Sequence, residues 1–266
     1  MNITQRSSSI KSMELKVKLR SKEDALSYED AWTSWGIYHL AVKDNNDYIK
    51  SKFKDEITTK NKDLKVELYK PITGPKDSDY FIFLVLPQLE VIPSVLDLLK
   101  SNGIEIMDRF FSLTEISEYT STQAEEHQRL EAQGITGDEL AQKLDVFVNR
   151  IKHYKRNKLN PGIPDKKFIS FYPMSKKREQ NENWYELSFE QRKAIMAEHG
   201  KLGRTFSGKI VQLITSSFGF ENWEWGVTLF SEEAELIKEI VYQMRFDEAS
   251  AKYAIFGDFW FGVRAE

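Results

Sequence analysis

A chain of 266 residues with 41% hydrophobic and 30% charged side chains has the balance of an ordinary globular protein with enough material for a sizeable core. Its 38 basic and 41 acidic residues leave a formal charge of −3, which gives a nucleic-acid partner no global electrostatic support. The absence of cysteine excludes disulfides, thiolate ligands, iron–sulfur clusters and Cys-based zinc sites together, and a reducing, cytoplasmic setting is expected.

Residues 1–30 carry Arg and Lys but no apolar run, so they read as a flexible arm or oligomer contact rather than a secretory leader. Trp32 to Val42 is aromatic and β-branched and reads as a strand. Ile49, Phe53 and Ile57 repeat at helical spacing. Leu64, Val66 and Leu68 alternate as a half-buried strand, and the turn PITGPKDSD leads into an apolar strand from Tyr80 to Leu86. The longest purely apolar run, Phe81 to Pro87, is far too short to span a bilayer. Pro93 suits the first turn of a helix that buries Val95 to Leu99 and closes at Gly103, and Ile104 to Tyr119 reads as a last strand. The order in residues 31–119 is therefore βαββαβ.

Residues 120–165 differ in character. They are polar and predict two helical pieces interrupted at Gly134 and Gly137, with a basic run through Arg150, Lys152, Lys155, Arg156 and Lys158. That run is either a solvated helix face or a cluster for carboxylates.

The same order returns in residues 166–266. A strand from Lys167 to Met174 is followed by a helix opened by the capping box Ser188/Gln191, with Gly200 as a left-handed stop after His199. Strands at 209–217 and 222–230, a helix from Ser231 to about Phe246 and a strand near Phe256 to Val263 complete it. The fold expected is α+β, two tandem ferredoxin-like βαββαβ units whose open sheet faces cover each other.

Several residues in this second unit could carry chemistry. His199 lies on the helical stripe with Ile195 and Leu202, so it is either a core histidine bonded to a carbonyl or an axial ligand to a heme iron. Phe168, Ser170, Tyr172 and Met174 share one strand face, where Tyr172 by itself reads as a core or edge aromatic. Gln212 sits between Ile210 and Ile214, an amide where the period calls for an apolar side chain, and there it needs partners. Trp223, Trp225, Val227 and Leu229 form a further strand face.

The blocks FYPMSKKR, NWY, EHGKLGR, GKIVQ, WEWGVTLF and MRFDEASAKY, in that order, resemble the C-terminal half of the chlorite dismutase family, and within it the coproheme decarboxylase branch. The likeness is dense over roughly 160–264 and looser in DSDYFIFLVLP and SLTEISEY. It implies a homopentamer binding heme through His199. Iron coproporphyrin III would be substrate and cofactor, heme b the product and hydrogen peroxide the oxidant. In that branch the tyrosine matching Tyr172 becomes a radical that abstracts hydrogen from a propionate, and the lysine matching Lys176 pairs with a propionate. Met174 and Trp184 fall among the cofactor-binding residues, and Ser250 matches a hydroxyl that bonds a propionate. On sequence alone Ser250 is equally a helix-end cap. Gln212 falls where chlorite dismutases carry a distal arginine and coproheme decarboxylases a glutamine, so chlorite chemistry is expected to be poor.

Two positions depart from the pattern. Lys158 stands where a propionate-binding arginine is usual, keeping the charge without the fork. Glu118 stands near a propionate, where a carboxylate repels unless it is protonated or a cation intervenes. The alternatives are a chlorite-dismutating or general heme peroxidase, and a heme-binding module without turnover.

Overall fold

The computed structural model of the chain describes residues 34–265, so the arm expected at 1–30 and Trp32 of the first strand lie outside the described residues. The first half runs β1 (Gly36–Lys43), a π-helical turn (Ile49–Phe53) continuing into α1 (Lys54–Lys60), β2 (Lys65–Thr73), β3 (Tyr80–Leu86), α2 (Ile92–Ser101) and β4 (Glu105–Thr114). Ile49, Phe53 and Ile57 are buried as their spacing requires, with Val95 and Leu99 of α2 beside them in one cluster. Gly103 takes a φ of +73°, the left-handed conformation that ends α2 at no side-chain penalty. β4 stops at Thr114, short of the strand expected to reach Tyr119.

Two helices follow, α3 (Gln123–Ala132) and α4 (Gly137–Leu159), and the glycines at 134 and 137 that separate them both have positive φ. A full capping box at Thr122/Glu125 opens α3. The second half is β5 (Phe168–Lys176), a small hairpin of β6 (Arg178–Glu179) and β7 (Glu182–Asn183), α5 (Phe189–Arg204), β8 (Ile210–Ser216), β9 (Trp225–Ser231), α6 (Ala234–Gln243), α7 (Glu248–Ala251), β10 (Ala254–Phe256) and β11 (Trp260–Arg264). The expected last strand is thus split in two, both parts lying along one edge of β5.

Within each half the strand order is that of a ferredoxin-like unit, β4-β1-β3-β2 in the first and β8-β9-β5-β11 in the second. The two sheets do not merely face each other. Their edges pair as well, β11 with β2 and β4 with β8, so that the strands close into one barrel. The joint between β4 and β8 is short, Leu113 and Thr114 against Ser216 and Thr215, so the rest of both edges lies outside it. Closure also corrects the reading of β2 as half-buried: Glu67 and Tyr69, on the face opposite Val66 and Leu68, are buried too. Glu67 pairs with Arg264 of β11 across the joint, and Arg264 also holds Asp165.

Three apolar clusters follow from this geometry. Ile37, Ala41, Phe83, Phe110, Ile169, Phe171, Phe230 and Trp260 fill the barrel. The first unit's outer face packs on its helices. The second unit's outer face packs on α6 through Val227, Leu229, Ile237 and Ile240, and there the packing is incomplete.

Candidate functional site

Outside the second sheet, between the strands β5, β8, β9 and the helices α5 and α6, lies a cavity of about 1850 Å³. That exceeds the ~300–1,000 Å³ of ordinary ligand pockets and leaves room for a large ligand. The strand wall is built from alternate residues of three paired strands: Tyr172 and Met174, then Ile210, Gln212 and Ile214, then Trp225, Val227 and Leu229. Every one of them stands on the face that the period of two assigns to it.

The roof is α5. Its capping box forms as the sequence requires, Gln191 N donating to Ser188 Oγ at 3.2 Å and Ser188 N to the Gln191 side chain at 2.9 Å. The helix does not stop at Gly200, however, but continues to Arg204. Gly200 has no positive φ, and the ~1 kcal/mol that a glycine costs a helix is outweighed by continuing the backbone ladder. No residue of α5 is fully buried. Met196, His199, Gly200 and Gly203 line the cavity, whereas Ile195 and Leu202, expected to share the inward stripe with His199, do not. A Cβ on Gly203 would come 3.5 Å from Gln212 Nε2, an ordinary contact, so the roof meets the strand wall here.

His199 is half-buried, and its Nδ1 lies 2.9 Å from Asp247 Oδ1. Asp247 also caps α7, taking Ser250 N on Oδ1 at 3.2 Å and the Ser250 hydroxyl on Oδ2 at 3.2 Å. Burial pushes the Asp247 carboxyl up, yet the hydrogen bond and charge of His199 and the bonds from Ser250 hold it below its usual range. As a carboxylate it fixes the proton of His199 on Nδ1 and leaves Nε2 with its lone pair. Ser250, read from sequence as a cap, therefore donates to the capping residue instead. Among the described residues no cluster of three or more His, Asp or Glu could hold a metal. A single imidazole in an apolar cavity fits a metal that arrives with its equatorial ligands already in place.

Tyr172 stacks on Phe259 at 4.4 Å and meets Phe256 edge-on at 5.8 Å. Burial raises its phenol to about 12 against the opposing pull of Arg245, so the hydroxyl is protonated at neutral pH. Lys176 is buried: its Nζ donates to the Ala249 carbonyl at 2.8 Å and lies 4.3 Å from the Trp184 ring centre. Burial lowers its ammonium to about 8, while Asp247 and Glu224 pull it back up. Its Nζ thus has one backbone acceptor and one aromatic face, and the residue lines the cavity. Trp184 is buried against Tyr253 and lines the same wall.

Lys158, near the end of α4, reaches 3.5 Å from the Gln212 carbonyl, and burial lowers its ammonium below the usual range. Glu118 does not meet the cavity unpaired, because Arg192 Nη2 lies 3.6 Å from its carboxylate. Sequence reasoning missed Arg192, Arg204 and Arg245, all of which line the cavity, together with Tyr154 and the Asp247 carboxylate. Their only signal was position: Asp247 and Arg245 lie within the block MRFDEASAKY. The cavity brings together Lys158, Tyr172, Met174, Lys176, Trp184, His199, Gln212 and Ser250, whereas Trp223 and Arg150, Lys152, Lys155 and Arg156 of the basic run do not line it.

The site is thus a duplicated ferredoxin-like barrel whose second unit carries a large cavity with one carboxylate-oriented histidine and room for a bulky ligand. The chain belongs to the chlorite dismutase family, whose model matches residues 42–265. A Halobacterium salinarum protein named "Putative heme-binding protein" is 44% identical over 161 residues, covering 60% of this chain and 33% of that protein. One of the same name from Haloquadratum walsbyi is 41% identical over 157 residues, covering 59% and 30%. The chain thus spans about a third of the length of the curated relatives it matches.

Among solved structures, one described as a novel heme-binding protein from Thermus thermophilus has a TM-score of 0.67. It is 24% identical and covers 88% of this chain and 92% of its own. A mutant chlorite dismutase from Candidatus Nitrospira defluvii gives 0.63 at 13% identity, covering 92% and 96%. At these identities the likeness is one of fold. Among the described residues no helix is long and apolar enough to cross a membrane.

Proposed function

We propose that this chain binds heme through His199 and acts as a peroxide-dependent coproheme decarboxylase. The observation that carries the reading is the pairing, in one cavity, of an imidazole with a free Nε2 and a protonated phenol at Tyr172. The relatives' names and the family match support the heme itself. The reaction is a two-electron oxidation: each propionate, one proton and one hydrogen peroxide yield a vinyl group, carbon dioxide and two waters. The bound iron porphyrin supplies the peroxide chemistry and carries the propionates.

The protein's part is positional and electrostatic. His199 ligates through Nε2 while Asp247 keeps the proton on Nδ1. Tyr172 would lose its phenolic hydrogen, as a proton and an electron, to the oxidising equivalents of peroxide and regain a hydrogen atom from the propionate chain, whose loss of carbon dioxide and of a second electron to the same oxidant would complete the vinyl group. Lys158, Arg192 and Arg245 offer charge to carboxylates at the cavity wall, and the ammonium of Lys176 adds to the field there. The apolar strand wall keeps water from the reacting centre.

The neutral amide of Gln212 favours this reading over chlorite turnover, because it gives an oxyanion no ionic hold. With coproheme and peroxide, mass spectrometry is expected to register two successive losses of carbon dioxide. His199→Ala should abolish the Soret band. Tyr172→Phe should keep the band and lose the decarboxylation. Full activity in Tyr172→Phe would refute the mechanism, and oxygen release from chlorite would favour the alternative.

A further inference from the structure

We infer that a second, smaller cavity beside the first is the entrance by which a molecule of the size of hydrogen peroxide reaches the Gln212 wall, and that Lys158 is its gate. The inference rests on the reading of a porphyrin in the main cavity. The smaller space, about 450 Å³, lies between α4 and β8. Arg150, His153 and Asn157 line it from the helix, and Val211, Leu213 and Phe230 from the strands. Tyr154, Lys158 and Gln212 line both cavities, so these residues lie at the boundary between them.

That boundary is easily moved. Lys158 Nζ lies 3.5 Å from the Gln212 carbonyl, at the outer limit of a hydrogen bond, on a flexible four-carbon stem. If that ammonium turns toward a porphyrin carboxylate, its link to β8 breaks and the boundary opens. Val211 lies on the inward face of β8 but is 42% exposed, because the barrel is open at this end.

A second way in is needed for a geometric reason. His199 enters the main cavity from the helix wall and Gln212 from the strand wall. A flat macrocycle held by the first leaves its opposite face to the second, and its own bulk obstructs the wide opening. The smaller cavity offers a polar helix side, where Asn157 Nδ2 and His153 Nε2 are 3.0 Å apart, against an apolar strand side. That suits a small, uncharged molecule able to hydrogen-bond.

Gly162 lines only the smaller cavity, has no positive φ, and a Cβ added there meets nothing within 4 Å. Gly162→Phe therefore fills the entrance without strain, Val211→Phe fills it from the other wall, and Gly162→Ala controls for folding. With the chain loaded with iron porphyrin, stopped-flow association of cyanide and of hydrogen peroxide should slow about fivefold or more in both phenylalanine variants. The Soret band and porphyrin affinity should stay unchanged in both, and the alanine control should keep the parent rate. Parental rates in both phenylalanine variants with the Soret band intact would overturn the entrance. Absence of a Soret band in the unmodified chain would overturn the porphyrin reading, and the entrance with it.

Discussion

Among the described residues only Nδ1 of the His199 ring has a hydrogen-bond partner, and that asymmetry gives the residue its chemistry. Asp247 accepts the Nδ1–H hydrogen bond, and Ser250 holds Asp247 in place through both backbone and hydroxyl. An imidazole hydrogen-bonded to a carboxylate is a stronger donor to a metal than one bonded to a neutral oxygen. Asp247→Asn keeps an acceptor of the same shape while removing the charge. It is expected to weaken iron-porphyrin binding about 10–100-fold. The ferrous iron–histidine stretch should shift to lower frequency, which a merely structural role would not produce. Titration of the loaded variant followed by resonance Raman spectroscopy checks both. An unchanged stretch would show that the carboxylate leaves the ring's donor strength alone.

Among the described α-helices, α5 alone has no fully buried residue, so packing supplies the least of its stability. A helix that roofs a cavity must hold itself together through its own ends until a ligand supplies the missing apolar contacts. Ser188→Ala removes the oxygen that accepts Gln191 N, and is expected to lower stability by about 1 kcal/mol in urea unfolding of the ligand-free chain. Added heme should compensate by mass action. The start of this helix was legible in the sequence because a capping box is local chemistry. Its end was not, because whether a helix crosses Gly200 depends on what lies beneath it. The strand wall was legible for the same local reason: Tyr172, Gln212 and Val227 face one way because side chains alternate. Arg192, Arg204 and Arg245 escaped notice because a cation near a helix end reads like any solvated charge, and only the placement of α5 and α6 around one cavity turns these toward one space. The edge pairings of β2 with β11 and β4 with β8 lie beyond any periodicity, since a strand's pattern encodes its faces and not its neighbours.

Closing both sheets into one barrel creates an interior that no single element contains, and His39 of β1 is inside it. Its ring stacks on Phe171 at 3.9 Å and lies 5.0 Å from Phe83, with Nε2 2.9 Å from Thr228 Oγ1 of β9. Its Nδ1 is buried with no hydrogen-bond partner, as is the Tyr69 hydroxyl, so the site cannot accommodate a charged ring. Burial lowers the His39 imidazole to about 3 from the ordinary 6.5. The folded chain therefore binds no proton here over most of the range in which the unfolded chain does, and stability falls as pH drops below about 6.5. The loss reaches at most ~1.4 kcal/mol per pH unit and ends near the folded value. Carboxyls held below their usual range, such as Glu125 and Asp247, give up their contribution only at lower pH, so the interval between pH 7 and pH 5 isolates the histidine. Urea unfolding is expected to give about 2 kcal/mol less stability at pH 5 than at pH 7, from this group alone. His39→Phe should lose that difference, whatever its absolute stability, because the variant has nothing to protonate inside the barrel. A slope that survives the substitution would mean that the ring at position 39 gains its proton without leaving the core.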